Sequence, residues 1–142
     1  MKKILFLFLL FTALLFGQFS KYKDGFSLET KNILYSSGDT TCLLFAYHSN
    51  NHDTILISFN SSEPPKYFYI NGWRATLDKN LYFENGFYHI IIREKKVLKH
   101  ILQQIINEYD IDIISEENSY SFNFSKYKND IKKSDFYKKI MQ

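Results

Sequence analysis

From Thr41 onward the chain alternates between large apolar and smaller or polar side chains. Leu43, Phe45 and Tyr47 set the rhythm, and after a polar break Ile55, Ile57 and Phe59 repeat it. A period of two belongs to a β-strand with one buried face, so the two runs predict a hairpin. Asn60 to Pro65 ends the pattern, because consecutive prolines donate no ladder hydrogen bonds. Two Asn-Gly pairs follow, Asn71-Gly72 and Asn85-Gly86, each between strand-like residues. Asn-Gly suits the type I′ turn, whose two central residues both need positive φ. Two-residue loops pair Ile70 with Trp73 and Tyr69 with Arg74, then Phe83 with Tyr88 and Tyr82 with His89. The middle of the chain therefore predicts an antiparallel meander.

The period changes between Glu94 and Tyr109. Val97, Leu98, Ile101, Leu102, Ile105 and Ile106 recur at helical spacing and make one broad apolar stripe. Such a helix has to lie across a face of the sheet, the simplest way for both apolar surfaces to leave water. Strands are expected again at Ile111 to Ile114 and Tyr120 to Phe124, joined by an acidic turn at Glu116-Glu117-Asn118. Tyr127, Ile131, Ile140 and Met141 outline a weaker C-terminal helix, restarted by a cap at Ser134. Residues 18–40 read as a loosely held entry segment with an edge strand at Ile33-Leu34-Tyr35. The fold class expected is α+β: an antiparallel meander sheet, one long amphipathic helix packed on a face, and the C-terminal helix.

Composition alters this picture at the N-terminus. Met1-Lys2-Lys3 precedes an apolar run from Ile4 to Phe16, broken only by Thr12, and Gly17 opens a polar stretch. A short basic start, an apolar core of that length and a small residue after it predict a signal peptide over residues 1–17, with a cut after Ser20 as the alternative. The run is shorter than the roughly 20 residues of a spanning helix, so an uncleaved anchor is the lesser reading. Residues 18–142 then form a single α+β domain, periplasmic or secreted. Without Lys2 and Lys3 its charge is nearly balanced, which gives no reason to expect nucleic acid. One cysteine, Cys42, cannot make an internal disulfide, so packing must hold the domain together, and Cys42 reads as a buried small hydrophobe.

Candidate chemistry centres first on the stretch from Ala46 to Asp53. An odd-length loop pairs His48 with His52 and keeps Leu43, Phe45, Ile55 and Ile57 on one face, whereas a two-residue loop at Asn50-Asn51 mixes faces. The odd loop is therefore expected. It places His48 and His52 within reach of one Zn²⁺ ion, the alternative to a protein with no cofactor. Cys42, about 20 Å away along the strand, cannot join them. The plainer reading of the stretch is a solvated turn. No nucleophile, phosphate-loop or metalloprotease motif is present. Glu116 and Glu117 read as solubilising turn residues.

The second candidate is a sheet face left bare by the amphipathic helix. The hairpin pairings give it Tyr67, Tyr69, Arg74, Tyr82, Phe87, His89 and Ile91. Tyr and Arg are enriched where proteins bind one another. The competing reading is a second core covered by the C-terminal helix. The function expected is non-enzymatic binding of a protein partner in the cell envelope, as an inhibitor, immunity factor or accessory protein would perform it; the alternative is a metal-binding protein or small metal-dependent hydrolase using His48 and His52. The lysine-rich C-terminus adds possible contact with an anionic membrane surface.

Overall fold

Both Asn-Gly pairs make the turns their chemistry requires: φ is positive at Asn71, Gly72, Asn85 and Gly86. Around them the computed structural model describes residues 19–31 and 41–142, and the expected strand at Ile33-Leu34-Tyr35 and the leader at 1–17 lie outside these. The described residues form a mixed α+β fold with ten strands in two antiparallel sheets. In chain order the strands are β1 (Ser20–Lys21), β2 (Gly25–Lys31), β3 (Thr41–His48), β4 (Asp53–Phe59), β5 (Tyr69–Ile70), β6 (Trp73–Arg74), β7 (Leu81–Glu84), β8 (Phe87–Ile92), β9 (Ile111–Ile114) and β10 (Ser119–Phe122). Helix α1 spans Lys95–Ile106, and a 3-10 turn at Ser125–Tyr127 leads into α2 (Lys128–Lys133) and α3 (Asp135–Met141).

The first sheet has the order β1-β2-β3-β4-β8-β7 and the second β10-β9-β5-β6. The two Asn-Gly hairpins keep their predicted pairings but fall in different sheets: β8 pairs with β4, whereas β5 pairs with β9. The Pro64-Pro65 break is what lets the chain leave the first sheet and return to it at β7. β2 corrects the reading of a loosely held entry segment. It is paired along its length with β3, from Gly25 opposite Tyr47 to Lys31 opposite Thr41.

The hairpin of β3 and β4 takes the register that one-face burial argued against. His48 stands opposite Asp53, Phe45 opposite Leu56 and Leu43 opposite Ser58, and Ser49 and His52 close the tip by exchanging backbone hydrogen bonds of 3.0 and 3.3 Å. The reason is burial on both faces, which removes the information that alternation carries. Cys42, Leu44, Ala46, Ile55, Ile57 and Phe59 face the main core. Leu43, Phe45 and Leu56 face the other way, in a smaller cluster with Tyr22, Tyr47, Tyr82 and Ile91.

Helix α1 buries Val97, Leu98, Ile101, Leu102 and Ile105 and packs against β4, β9 and α3. Helix α3 lies beside it, against β2, β3 and β4, and contributes Phe136 and Ile140 to the same core. The C-terminal helix thus shares the face that α1 covers and leaves the opposite face of the first sheet alone. Ser134 caps α3 as its sequence predicts, accepting a hydrogen bond from the Tyr137 N–H at 3.2 Å. The N–H groups of Asp135 and Phe136 donate to the carbonyls of Lys23 and Asp24, tying the helix start to the turn between β1 and β2. The Phe19 and Tyr127 rings also stack, with centroids 4.1 Å apart.

Candidate functional site

The second sheet presents its inner face, Ile70, Ile111 and Ile113, to the core. Because successive strand residues point to opposite sides, Tyr69, Arg74, Asp112 and Ile114 point outward. Tyr69 sits between two strands, opposite Arg74 on β6 and opposite Ile114 on β9. The Tyr67 ring lies 5.7 Å from that of Tyr69. Ile114 is 48% exposed, one of three large apolar side chains so open among the described residues. Arg74 is exposed and makes no ion pair among the described residues. Two half-buried tyrosines, a free guanidinium and a solvent-facing isoleucine thus share one small antiparallel face.

A clamp of acidic side chains holds the approach to this face. Glu117 accepts hydrogen bonds from the Ser61 hydroxyl at 3.0 Å, the Ser62 amide at 3.0 Å and the Ser62 hydroxyl at 2.6 Å. Glu116 accepts from the Lys66 amide at 2.7 Å, and the Asn118 amide group donates to the Asn60 carbonyl at 3.0 Å. These bonds dock the proline-containing loop onto the turn between β9 and β10, setting where Tyr67 starts. The two glutamates are anchors and not solubilising decoration, and the Ser62 and Ser61 hydrogen bonds hold the Glu117 carboxyl below the usual glutamate pKa.

Tyr82, Phe87 and His89, which the hairpin pairings grouped with this face, belong to the other sheet. His89 is 4% exposed, stacked on Tyr82 with ring centroids 4.8 Å apart. Its Nε2 lies 3.2 Å from the Glu84 carbonyl, which can only accept, so Nε2 carries the proton. Nδ1 then accepts from the Ser58 hydroxyl at 2.7 Å. Burial lowers the His89 pKa, only partly opposed by the Glu84 carbonyl and charge, and burial followed by the Glu84 charge raises that of the Tyr82 phenol. A hydroxyl bonded to a neutral imidazole has the polarity of a nucleophile and its base. With Ser58 at 2% exposure it has no open face to a substrate, and it serves as a satisfied polar pair between β4 and β8. Sequence alone gave no sign of it, since Ser58 and His89 meet only through the β4–β8 pairing.

The tip of the β3–β4 hairpin also differs from its expected geometry. His48 Nδ1 lies 2.6 Å from Asp53 Oδ1, each side chain about a quarter exposed. His52 closes the tip with Ser49, one step beyond the His48–Asp53 pair, so the two histidines do not stand opposite each other as the expected register had them. Among the described residues no three metal-ligating side chains converge. Cys42 is fully buried, and its thiol is pushed up by that burial and by the Glu29 charge, away from thiolate chemistry. No protein-family model, no curated protein and no solved structure matches the chain.

Proposed function

We propose that the protein is an exported, non-enzymatic binding protein of the cell envelope that captures a protein partner through Tyr67, Tyr69, Arg74 and Ile114. The observation that carries this reading is Ile114, a large aliphatic side chain left 48% exposed directly opposite Tyr69. Tyrosine and arginine around an apolar centre are the composition of interface hot spots. Tyr82 and His89 fall outside the proposed surface, because they sit on the other sheet. Inhibitor, immunity and envelope-accessory roles all fit a surface of this kind.

A photo-crosslinking residue placed at Ile114 in the producing cell tests the reading, with the same residue at exposed Asp78 as control. One dominant protein adduct is expected from position 114 and none from 78. With the captured partner in hand, Tyr69→Ala and Arg74→Ala should each weaken binding by about thirty-fold, the loss typical of a hot spot. Adducts of equal yield at both positions, or affinity unchanged in both variants, would overturn it.

A further inference from the structure

The near-zero charge of residues 18–142 conceals a strong segregation. Helix α1 together with the segment from Ser125 to Gln142 carries nine lysines against two aspartates, a surplus of seven. The remainder of residues 18–142 carries seven Lys and Arg against thirteen Asp and Glu, a deficit of six. Folding brings the cationic parts together. Helices α1 and α3 pack on each other and both lie on β4, burying Leu98, Leu102, Phe136 and Ile140 in one core. Their wet sides therefore point the same way, off the first sheet. Lys95, Lys96 and Lys99 occupy that side of α1, and Lys138 and Lys139 that of α3, all exposed.

Among the described residues these lysines are not neutralised. The ion pairs that reach the helical segments join Lys128 to Glu108 and Lys21 to Asp130, so none of the five has a carboxylate within ion-pair distance among the described residues. We propose that this two-helix face is a docking surface for an anionic lipid bilayer. Charge complementarity names the occupant, and the type of cation narrows it. Neither helix contains an arginine: Arg74 is on β6, and Arg93, in the link between β8 and α1, reaches back to the Thr54 hydroxyl of β4 at 3.4 Å. Lysine is a hydrated point charge suited to diffuse attraction, whereas bidentate phosphate recognition uses arginine. Nor does either helix expose a large aromatic side chain on which bases could stack: among the described residues the exposed large apolar side chains are Phe83, Tyr109 and Ile114, all outside the helices. A pair of adjacent helices offers several lysines to a plane at once, each within a Debye length of the headgroups.

The orientation has a consequence for the rest of the molecule. Helix α1 lies against the inner side of the second sheet, through β9. A protein seated on its lysines would hold the outer face of that sheet, with Tyr69 and Ile114, turned from α1. Lipid docking through the lysines does not require a partner on the second sheet.

The test is partition of the full chain onto vesicles of phosphatidylcholine alone and of phosphatidylcholine with phosphatidylglycerol in equal parts. Binding to the neutral vesicles sets the baseline for the apolar run Ile4 to Phe16. The expected result is an increment on the anionic vesicles that salt abolishes and that falls by about five-fold for each lysine removed. Both Lys95→Gln/Lys96→Gln/Lys99→Gln and Lys138→Gln/Lys139→Gln should lower it, with unfolding midpoints unchanged. An increment that survives the α1 triple substitution would overturn the proposal. So would tighter binding to duplex DNA or polyglutamate than to the anionic vesicles at the same salt, which would assign the face to a different polyanion.

Discussion

Glu117 and Ser62 lie 55 residues apart, yet the carboxylate of one is 2.6 Å from the hydroxyl of the other. With the Ser62 amide and the Ser61 hydroxyl also donating, one surface side chain closes a loop that otherwise has two prolines and little pairing of its own. The charged form accepts these bonds best, so the Glu117 pKa is depressed in the folded protein. The stabilisation is therefore present above the unfolded glutamate pKa and lost as pH falls through the lower folded value. Glu117 is expected to titrate below the usual glutamate pKa by nuclear magnetic resonance. Glu117→Ala should accelerate hydrogen exchange at the Ser62 amide while the amides of β3 and β4 remain protected.

Helix α1 ends with a non-glycine residue in a glycine conformation. Glu108 has φ of 65°, the Tyr109 N–H donates to the Gln104 carbonyl and the Glu108 N–H to that of Ile105, which together make a Schellman cap. An L side chain in that region costs about 1 kcal/mol relative to glycine. Glu108→Gly should therefore stabilise the protein by about 0.5–1 kcal/mol, less a small loss from the exposed ion pair to Lys128 at 3.3 Å. Urea unfolding measures it, and a lower midpoint would show that the cap depends on the Glu108 side chain.

Gly25 is constrained by space rather than by φ. A Cβ there would come within 1.8 Å of the Ala46 carbonyl oxygen, a backbone atom of the adjacent strand β3. The strand cannot yield without disturbing the pairing of β2 with β3. Gly25→Ala is expected to cost about 3 kcal/mol or to abolish folding, in the manner of an overpacked core. Circular dichroism and the unfolding midpoint decide it, and a variant of wild-type stability would mean that β2 shifts freely.

What could be read from the chain follows from which local signals were redundant. Asn71-Gly72 and Asn85-Gly86 specified turn type, register and facing pairs because two-residue loops leave no choice. The stripe from Val97 to Ile105 specified α1 because one-sided burial is what periodicity records. Ser134 was legible as a cap by its side-chain chemistry. The β3–β4 register was not, because Leu43 and Leu44 are both buried and either parity looked acceptable. β2 was not read from the chain: the alternation of Phe26, Leu28 and Thr30 is its signal, but two large apolar residues are too few to outweigh the polar surroundings.

The candidate face shows the same division. Tyr69 and Arg74 were placed opposite each other by the turn between them, and so were Tyr82 and His89. Their assignment to two sheets depends on β9 pairing with β5 and β8 with β4, contacts between distant segments that no local pattern encodes. Ile114 was visible as a strand residue. Its exposure, and its place beside Tyr69, became apparent only with the second sheet assembled.

Phe136 tests how far the last helix belongs to the core. Its ring is fully buried and meets Phe26 at 6.1 Å edge to face, joining α3 to β2. Truncating a buried phenylalanine costs about 3–5 kcal/mol, so Phe136→Ala should lower stability by that amount in one cooperative transition. A loss confined to fraying of residues 135–141, with the sheets unaffected in hydrogen exchange, would make α3 an appendage instead.

His89 provides the clearest dependence on pH. Its neutral imidazole is fixed between the Ser58 hydroxyl at 2.7 Å and the Glu84 carbonyl at 3.2 Å, and burial holds its pKa below the 6.5 of a free histidine side chain. The unfolded chain takes up the proton first as pH falls. Between the two values the unfolded state binds more protons than the folded one, so stability drops as pH decreases from about 6.5 toward the folded pKa. Above that window both states are neutral and His89 contributes no slope. His89→Gln can still accept from Ser58 and donate to Glu84 but carries no titrating proton. Urea unfolding at a series of pH values should therefore give a shallower acid slope for the variant than for the parent. Equal slopes would mean that His89 charges without leaving its site.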